Sequence, residues 1–274
     1  MVAKVTIGVV LYRNKKQQIE DLLTSVEKNM HFIKLSGKKI HVQLSFYQND
    51  SIRYSDMGLN AELIIGDGRN IGFGAAHNVL MKNAFAEDAD FYVALNPDAV
   101  MKYDALFELL DAYFQHGGNC AIEARQFPIE HPKSYDQLSF AVDWISGFCF
   151  LMDRHIFYAV DGFDENMFLY CEDVDISWRI KNAGFNLRIA PKAVVFHEVT
   201  SRGSQPRNQL IHMHIAGRYL GQKWGSVAFS KYCEKVLADM GINSPSTSVT
   251  SFEYDSSRVT PNFSNGFSFS SVRF

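Results

Sequence analysis

The chain has 274 residues, 47% of them hydrophobic and 21% charged, and a formal charge of −3. This balance excludes a mainly disordered chain, and the length suits one large α/β domain or two small ones. No long basic run offers itself to nucleic acid, no apolar run approaches the roughly 20 residues of a membrane span, and the N-terminus lacks the pattern of a signal peptide.

Residues 5–12 are apolar and β-branched and read as a buried strand. Residues 17–30 place Ile19, Leu22, Leu23 and Val26 at helical spacing. Residues 40–47 alternate Ile40, Val42, Leu44 and Phe46, the period of a strand with one buried face. A short strand is expected at 62–65, a helix at 72–85, a strand at 90–95 and a helix at 105–114. That alternation is the rhythm of a mostly parallel sheet with helices on its faces. Ligands bind such sheets beyond the carboxyl ends of strands. Polar groups gather there: Gln48-Asn49-Asp50, Asp67 to Asn70, and Asn96-Pro97-Asp98.

In the second half, residues 142–152 are apolar and aromatic around Ser146-Gly147. Residues 173–183 read as a helix that Gly184 ends. Short strands are expected at 185–189 and 193–196, split by Pro191, then a helix at 205–219. From Asn243 the chain is rich in Ser, Thr and Asn, with scattered Phe252, Phe263, Phe267, Phe269 and Phe274. We therefore expect a catalytic domain at 1–242 and a polar appendage at 243–274, either poorly ordered or docked through its phenylalanines. The four cysteines (Cys120, Cys149, Cys171, Cys233) form no Cys-x-x-Cys pair and read as reduced thiols of a cytosolic protein.

Three places carry chemistry. Asn96-Pro97-Asp98 could hold Mg²⁺ or Mn²⁺ through its carboxylate, or be a plain β-turn. Glu172, Asp173 and Asp175 open a helix, where acidic residues serve as caps. A carboxylate held ionised there also accepts a proton from an attacking hydroxyl. His197, at a strand end before Glu198, is either structural or a metal ligand beside Asp98. The Gly-rich run from Gly66 to Gly74 leads into a helix and could approach a nucleotide, but it is neither a dinucleotide fingerprint nor a P-loop. A nucleotidyltransferase is disfavoured because Arg13-Asn14-Lys15-Lys16, after the first strand, contains no glycine.

In order and spacing, these motifs resemble glycosyltransferase family 2, inverting enzymes of the GT-A fold, and especially its rhamnosyltransferase-like and galactofuranosyltransferase-like branch. The resemblance runs over residues 5–225 and is collective. It rests on Asn70-x-Gly72-x-Gly74-x-x-x-Asn78, Leu95-Asn96-Pro97-Asp98-Ala99 and Ser146-Gly147. It continues through Gly162-Phe163-Asp164-Glu165, Phe168-Leu169-Tyr170-x-Glu172-Asp173-x-Asp175 and Arg179-x-x-x-Ala183-Gly184. Pro191-x-Ala193, His197 and Tyr219-x-x-x-Lys223-Trp224-Gly225 complete it.

The resemblance implies a GT-A domain, a nucleotide-diphospho-sugar donor and a divalent metal, Mn²⁺ or Mg²⁺, on Asp98 and His197. Asn96 stands where the family often has a first Asp, which gives His197 more weight. Asp173 matches the catalytic base, with Glu172 and Asp175 orienting it and capping its helix. Donor contacts are expected from Asp50, Asn70, Gly72, Asn78, Asn96, Asp98, Ser146 and Gly147, although Gln48-Asn49-Asp50-Ser51 departs from the family's Asp-Asn-x-Ser. Trp144 and Tyr170 are the expected acceptor contacts. The implied activity is transfer of a sugar, rhamnose from dTDP-rhamnose as first choice, to a glycan or lipid-linked glycan in cell-surface polysaccharide (O-antigen) synthesis. That work would place the chain in the cytoplasm or peripherally at the inner membrane face. UDP-galactofuranose or a UDP-hexose as donor, or a non-catalytic nucleotide-sugar-binding module, are the alternatives.

Overall fold

The computed structural model describes residues 2–197, 206–243 and 249–270. Glu198, Gln205 and Phe274 lie outside them. Strand β1 (Ala3–Leu11) is central: Val5, Ile7, Val9 and Leu11 point to one face and Val10 to the other, all buried. It pairs in parallel with β2 (Ile40–Gln48) on one side and β4 (Phe91–Leu95) on the other. The two-residue β3 (Ile64–Ile65), after a 3-10 turn at Ala61–Leu63, extends β2. Beyond β4 lie β7 (Cys149–Asp153), β6 (Cys120–Phe127), β8 (Asn186–His197) and β5 (Ala99–Met101). The sheet of the described residues has eight strands in the order β3-β2-β1-β4-β7-β6-β8-β5. Only β7 and β5 run against the rest. The expected mostly parallel α/β sheet is therefore present.

Helices α1 (Lys16–Leu35) and α3 (Ala105–Gln115) cover one face, burying Ile19, Leu22, Leu106 and Leu109 among others. Helices α2 (Phe73–Ala86), α4 (Arg154–Val160) and α5 (Glu172–Asn182) cover the other through Leu80, Phe157 and Ile176. A third cluster joins α5 to α6 (Arg207–Lys223) and α7 (Val227–Asp239) around Trp178, Trp224 and Phe229.

One expectation is corrected. The segments on either side of Pro191 are one strand. Its pairing with β6 jumps from Ala124–Ala190 to Arg125–Val194, so residues 191–193 bulge out and Pro191 owes no ladder N–H. Of the two states left open for the C-terminal segment, its described residues show the docked one. Val259 and Phe269 are buried in the third cluster, and Phe252, Phe263 and Phe267 pack against it. Its backbone is tied down by Phe252 N–H to Lys223 O (2.7 Å) and Asp255 N–H to Asn182 Oδ1 (2.8 Å). All four cysteines are free and buried. Among the described residues, no helix is long and apolar enough to cross a membrane.

The Tyr-x-x-x-Lys-Trp motif of α6 works as a clasp. Lys223 Nζ binds Asp164 Oδ2 at 2.6 Å and Asp175 Oδ1 at 2.8 Å, while Trp224 Nε1 donates to that same Asp175 oxygen at 2.9 Å. Burial pushes the Asp164 carboxyl up, but Lys223 outweighs it and holds the carboxyl down at about 2. A depressed carboxylate stabilises the fold above its unfolded value of 3.8 and loses that contribution as pH falls toward 2. We therefore expect Lys223→Met to cost about 3 kcal/mol at pH 7 by removing the cation shared by two buried carboxylates, of which Asp175 keeps Arg179 and Asp164 keeps the Tyr219 hydroxyl and its own turn. The loss should shrink between about pH 4 and about pH 2, where Asp164 protonates in the wild type. Urea titrations at the two ends of that range check it; equal losses at both would separate Asp164 from the clasp.

Candidate active site

At the carboxyl ends of the strands, Asn49 N–H after β2 meets Leu11 O of β1 (2.9 Å), and the residues after β4 meet the segment that touches the N-terminus of α5. At the end of β4, Asn96 N–H donates to Phe148 O (2.8 Å), and Ala99 N–H closes a turn onto Asn96 O (3.1 Å). The plain-turn reading is thus true of the backbone. The turn leaves Asp98 Oδ1 3.3 Å from His197 Nε2, the last residue of β8, and Asn96 Nδ2 also stands 3.3 Å from that nitrogen. Antiparallel pairing of Ala99 with His197 brings these residues together across the chain. Burial pushes the Asp98 carboxyl up, but the hydrogen bond and charge of His197 outweigh it and hold it below the usual carboxylate range.

Two donors in neighbouring positions on a cation with bonds of about 2.1 Å stand about 3 Å apart, so Asp98 and His197 fit one ion. No group of three or more His, Cys, Asp or Glu among the described residues could hold a metal. A cation here would have to complete its shell with water and ligand oxygens, as Mg²⁺ commonly does.

Asp173 lies in the first turn of α5, partly exposed, and both its oxygens are held: Oδ2 accepts from Gly147 N–H (3.2 Å) and Oδ1 from Val174 N–H (2.9 Å). Tyr170 and Cys171, just before the helix, have left-handed φ of 72° and 66°. Non-glycine residues rarely adopt that conformation, and consecutive ones mark a backbone held for a purpose. Burial raises the Asp173 carboxyl, against the opposing pull of the Gly147 N–H and the Lys133 charge. Glu172 is raised well above its ordinary value, first by burial and then by the charge of Asp173, and its Oε2 is buried without a partner. Of the neighbouring pair, Asp173 is the one with both oxygens held by backbone N–H groups, an arrangement that favours the ionised form.

The segment Gly147-Phe148 joins these groups. Gly147 holds Asp173, Phe148 accepts from Asn96, and the Phe148 ring stacks on His197 with centroids 5.6 Å apart at 12°. Two consecutive residues, Gly147 and Phe148, thus link the Asp98–His197 pair to Asp173. A Cβ at Gly147 would stand 3.0 Å from the Phe73 ring, close enough that the ring would have to shift.

Other expected contacts serve the fold. Asn78 is buried and engaged at both ends, with Phe163 N–H (2.7 Å), Phe163 O (2.9 Å) and Glu165 Oε1 (3.0 Å), so it clasps the 163–165 turn instead of facing a donor. Asp175 is wholly buried between Arg179, Lys223 and Trp224, and does not orient Asp173. Trp144 is 6% exposed and its indole N–H donates to Ser268 O (2.9 Å), so it anchors the C-terminal segment instead of meeting an acceptor. Asp50 is buried and accepts from Arg13 N–H, Tyr54 Oη (2.9 Å) and Ile52 N–H (2.9 Å), binding the ends of β1 and β2. Gly72 has φ +92°, and a Cβ there would overlap the Phe168 carbonyl. It lets the Gly-rich loop dock on the segment before α5. Asn70 is exposed, with Oδ1 accepting from Gly72 N–H (3.1 Å); Tyr170 is part-buried.

Sequence reasoning passed over Asn49, whose side chain grips Ile71 N–H (2.8 Å) and Gly72 O (3.3 Å). It also passed over Glu123 and Lys133, an ion pair buried beneath Ser146. A carboxylate inside the apolar run Cys120–Ala124 was the available signal.

No family model matches the chain. Over 187 residues it is 26% identical to the rhamnosyltransferase WbbL of Escherichia coli (strain K12), covering 56% of this chain and 71% of that one. Over 74 residues it is 42% identical to an N-acetylglucosaminyl-diphospho-decaprenol L-rhamnosyltransferase of Mycobacterium tuberculosis, covering 27% of this chain and 24% of the relative. Its fold is that of GalNAc-T7 solved with UDP, GalNAc and Mn²⁺ (TM-score 0.62, 12% identity, 85% of this chain and 50% of that one). It is equally that of the Pyrobaculum calidifontis mannosyltransferase PcManGT in complex with GDP-Man and Mn²⁺ (TM-score 0.58, 14% identity, 89% and 77%). Fold and relatives together define a glycosyltransferase of the GT-A fold. Within that class, the chain is similar in sequence to rhamnosyltransferases.

Proposed function

We propose that this chain is an inverting, metal-dependent glycosyltransferase that moves rhamnose from dTDP-rhamnose to a hydroxyl of a glycan or lipid-linked glycan in cell-surface polysaccharide (O-antigen) synthesis. The reading places it in the cytoplasm, working at the inner membrane face. The donor choice is supported by the two rhamnosyltransferase relatives, and a lipid-linked acceptor by the name of the mycobacterial one. The observation that carries the chemistry is the segment Gly147-Phe148, which ties a metal-competent pair to a raised carboxylate.

In this mechanism Asp98 and His197 would hold Mn²⁺ or Mg²⁺, and the ion would supply counter-charge to the leaving diphosphate. Asp173, oriented by the Gly147 and Val174 N–H groups, removes the proton from the acceptor hydroxyl as that oxygen attacks the anomeric carbon from the face opposite the diphosphate. One displacement inverts the centre and needs no covalent nucleophile. Glu172 keeps its proton and leaves the base role to its neighbour. Asn70 and the Gly-rich loop border the donor side, and Tyr170 is the remaining acceptor contact.

A screen of dTDP-rhamnose, UDP-galactofuranose and UDP-hexoses for diphosphate release, with and without Mn²⁺, tests the reading. Turnover of a UDP sugar alone would replace the donor, and binding of sugar nucleotides without turnover by any of them would leave a binding module. For the metal, we expect calorimetry to show dTDP-rhamnose binding weakened roughly tenfold or more by EDTA in the wild type, since a multiply charged diphosphate loses its main counter-charge. Asp98→Ala should bind as weakly as the EDTA-treated wild type and respond little to EDTA. Equal donor affinity with and without a divalent ion would remove the metal from the site.

A further inference from the structure

The Glu123–Lys133 ion pair is unused by the chemistry above, yet it lies directly under Ser146. Its side chains are 3% and 2% exposed. Glu123 Oε2 accepts from the Lys133 ammonium and from Ser146 N–H (2.9 Å). Lys133 Nζ also donates to Trp144 O (2.9 Å) and stands 4.0 Å from the Trp144 ring centroid. The backbone from Trp144 to Ser146 is therefore pinned at both ends by one buried pair. The next N–H along, that of Gly147, is the one that holds Asp173 Oδ2. A buried pair costs several kcal/mol of desolvation, and well-packed apolar residues often replace one without loss of stability. Stability alone is a poor reason for these two charges to be here.

We propose that Glu123 and Lys133 are positioning residues for Asp173, fixing the Ser146-Gly147 peptide so that the Gly147 N–H is aimed at the carboxylate. This rests on the reading of Asp173 as the base. Lys133 also acts through space, because its charge opposes the rise that burial imposes on the Asp173 carboxyl. The other titratable groups around Asp173 are Glu172 on its own helix, the buried Cys171 thiol before it, Glu123 from β6, and His131, whose Nε2 is 3.0 Å from Ser146 Oγ. Burial raises Glu172 and Cys171 well above their ordinary values.

The test is the double variant Glu123→Gln/Lys133→Met, which keeps shape and an acceptor for Ser146 while removing both charges. Release of dTDP from dTDP-rhamnose is followed against pH, beside Asp173→Asn. We expect kcat to fall roughly tenfold or more from a misaimed base, with the KM for donor within about twofold. The acid limb of kcat should move up by roughly half a pH unit or more, because a misaimed Gly147 N–H favours the ionised carboxylate less. A folded double variant with wild-type kcat and an unmoved limb, beside an inactive Asp173→Asn, overturns the positioning role alone. An active Asp173→Asn overturns the base reading beneath it. If the double variant does not fold, Lys133→Arg decides: a kcat loss at wild-type melting temperature supports positioning, and an unchanged kcat overturns it.

Discussion

Asp173→Asn is expected to lower kcat by roughly 10³-fold, within the 10²–10⁴ that a positioned general base supplies, while leaving donor affinity within about twofold. The amide keeps the size of the carboxylate and its Oδ1 can still take one of the two backbone N–H bonds, from Gly147 or Val174. What it loses is the capacity to accept a proton. The wild-type pH profile carries a second mark of the same residue. A base works only when ionised, so activity falls as pH drops through its pKa. Burial raises that pKa, and the acid limb should therefore sit above about 4, the value of an unperturbed Asp. Steady-state kinetics and donor calorimetry on the same preparations check both statements. A loss smaller than tenfold would take Asp173 out of the role and direct attention to Glu172.

Ending the chain at Gly241 is expected to abolish stable folding. The described part of that tail supplies Phe252, Val259, Phe263, Phe267 and Phe269 to the third core cluster. Trp178 meets Phe263 at 5.4 Å and Phe269 at 6.0 Å, and Trp224 meets Phe252 at 4.9 Å, centroid to centroid. Truncating one buried Phe to Ala costs about 3–5 kcal/mol, so losing several exceeds the 5–15 kcal/mol that holds a typical domain together. The single change Phe269→Ala should show a loss of that one-residue size. The chain has three Trp, and Trp144, Trp178 and Trp224 all lie in this cluster, so the fluorescence maximum reports its integrity directly. A truncated chain with a wild-type maximum and melting temperature would show that the segment merely rests on the surface. Because Trp144 is also capped by Ser268 O and touches Lys133, the tail and the site share one support.

The sequence by itself determined the order of strands and helices through α3, apart from the three-residue β5, and the polar strand ends where a site was expected. Apolar β-branched runs and period-2 alternation report burial locally, and polar strand ends report where a sheet opens. It also named Asp98, His197 and Asp173, because motif order carries residue identity. It could not separate Asp173 from Asp175 by environment. Both stand in the first turn of α5, but Asp175 faces inward to Lys223 and Trp224, 48 and 49 positions away. Asn78 and Trp144 were misplaced for the same reason: their partners, Phe163 and Ser268, are distant in the chain. The strands β6 and β7 were passed over because Glu123 interrupts one apolar run and glycine and serine precede the other. Only the tertiary structure showed that this same Glu123 meets Lys133 beneath Ser146, and that scattered phenylalanines in a serine-rich tail complete a core. A contact between residues far apart in sequence leaves no periodicity behind. Whether a charge is paired or a phenylalanine covered is decided by what the fold brings beside it.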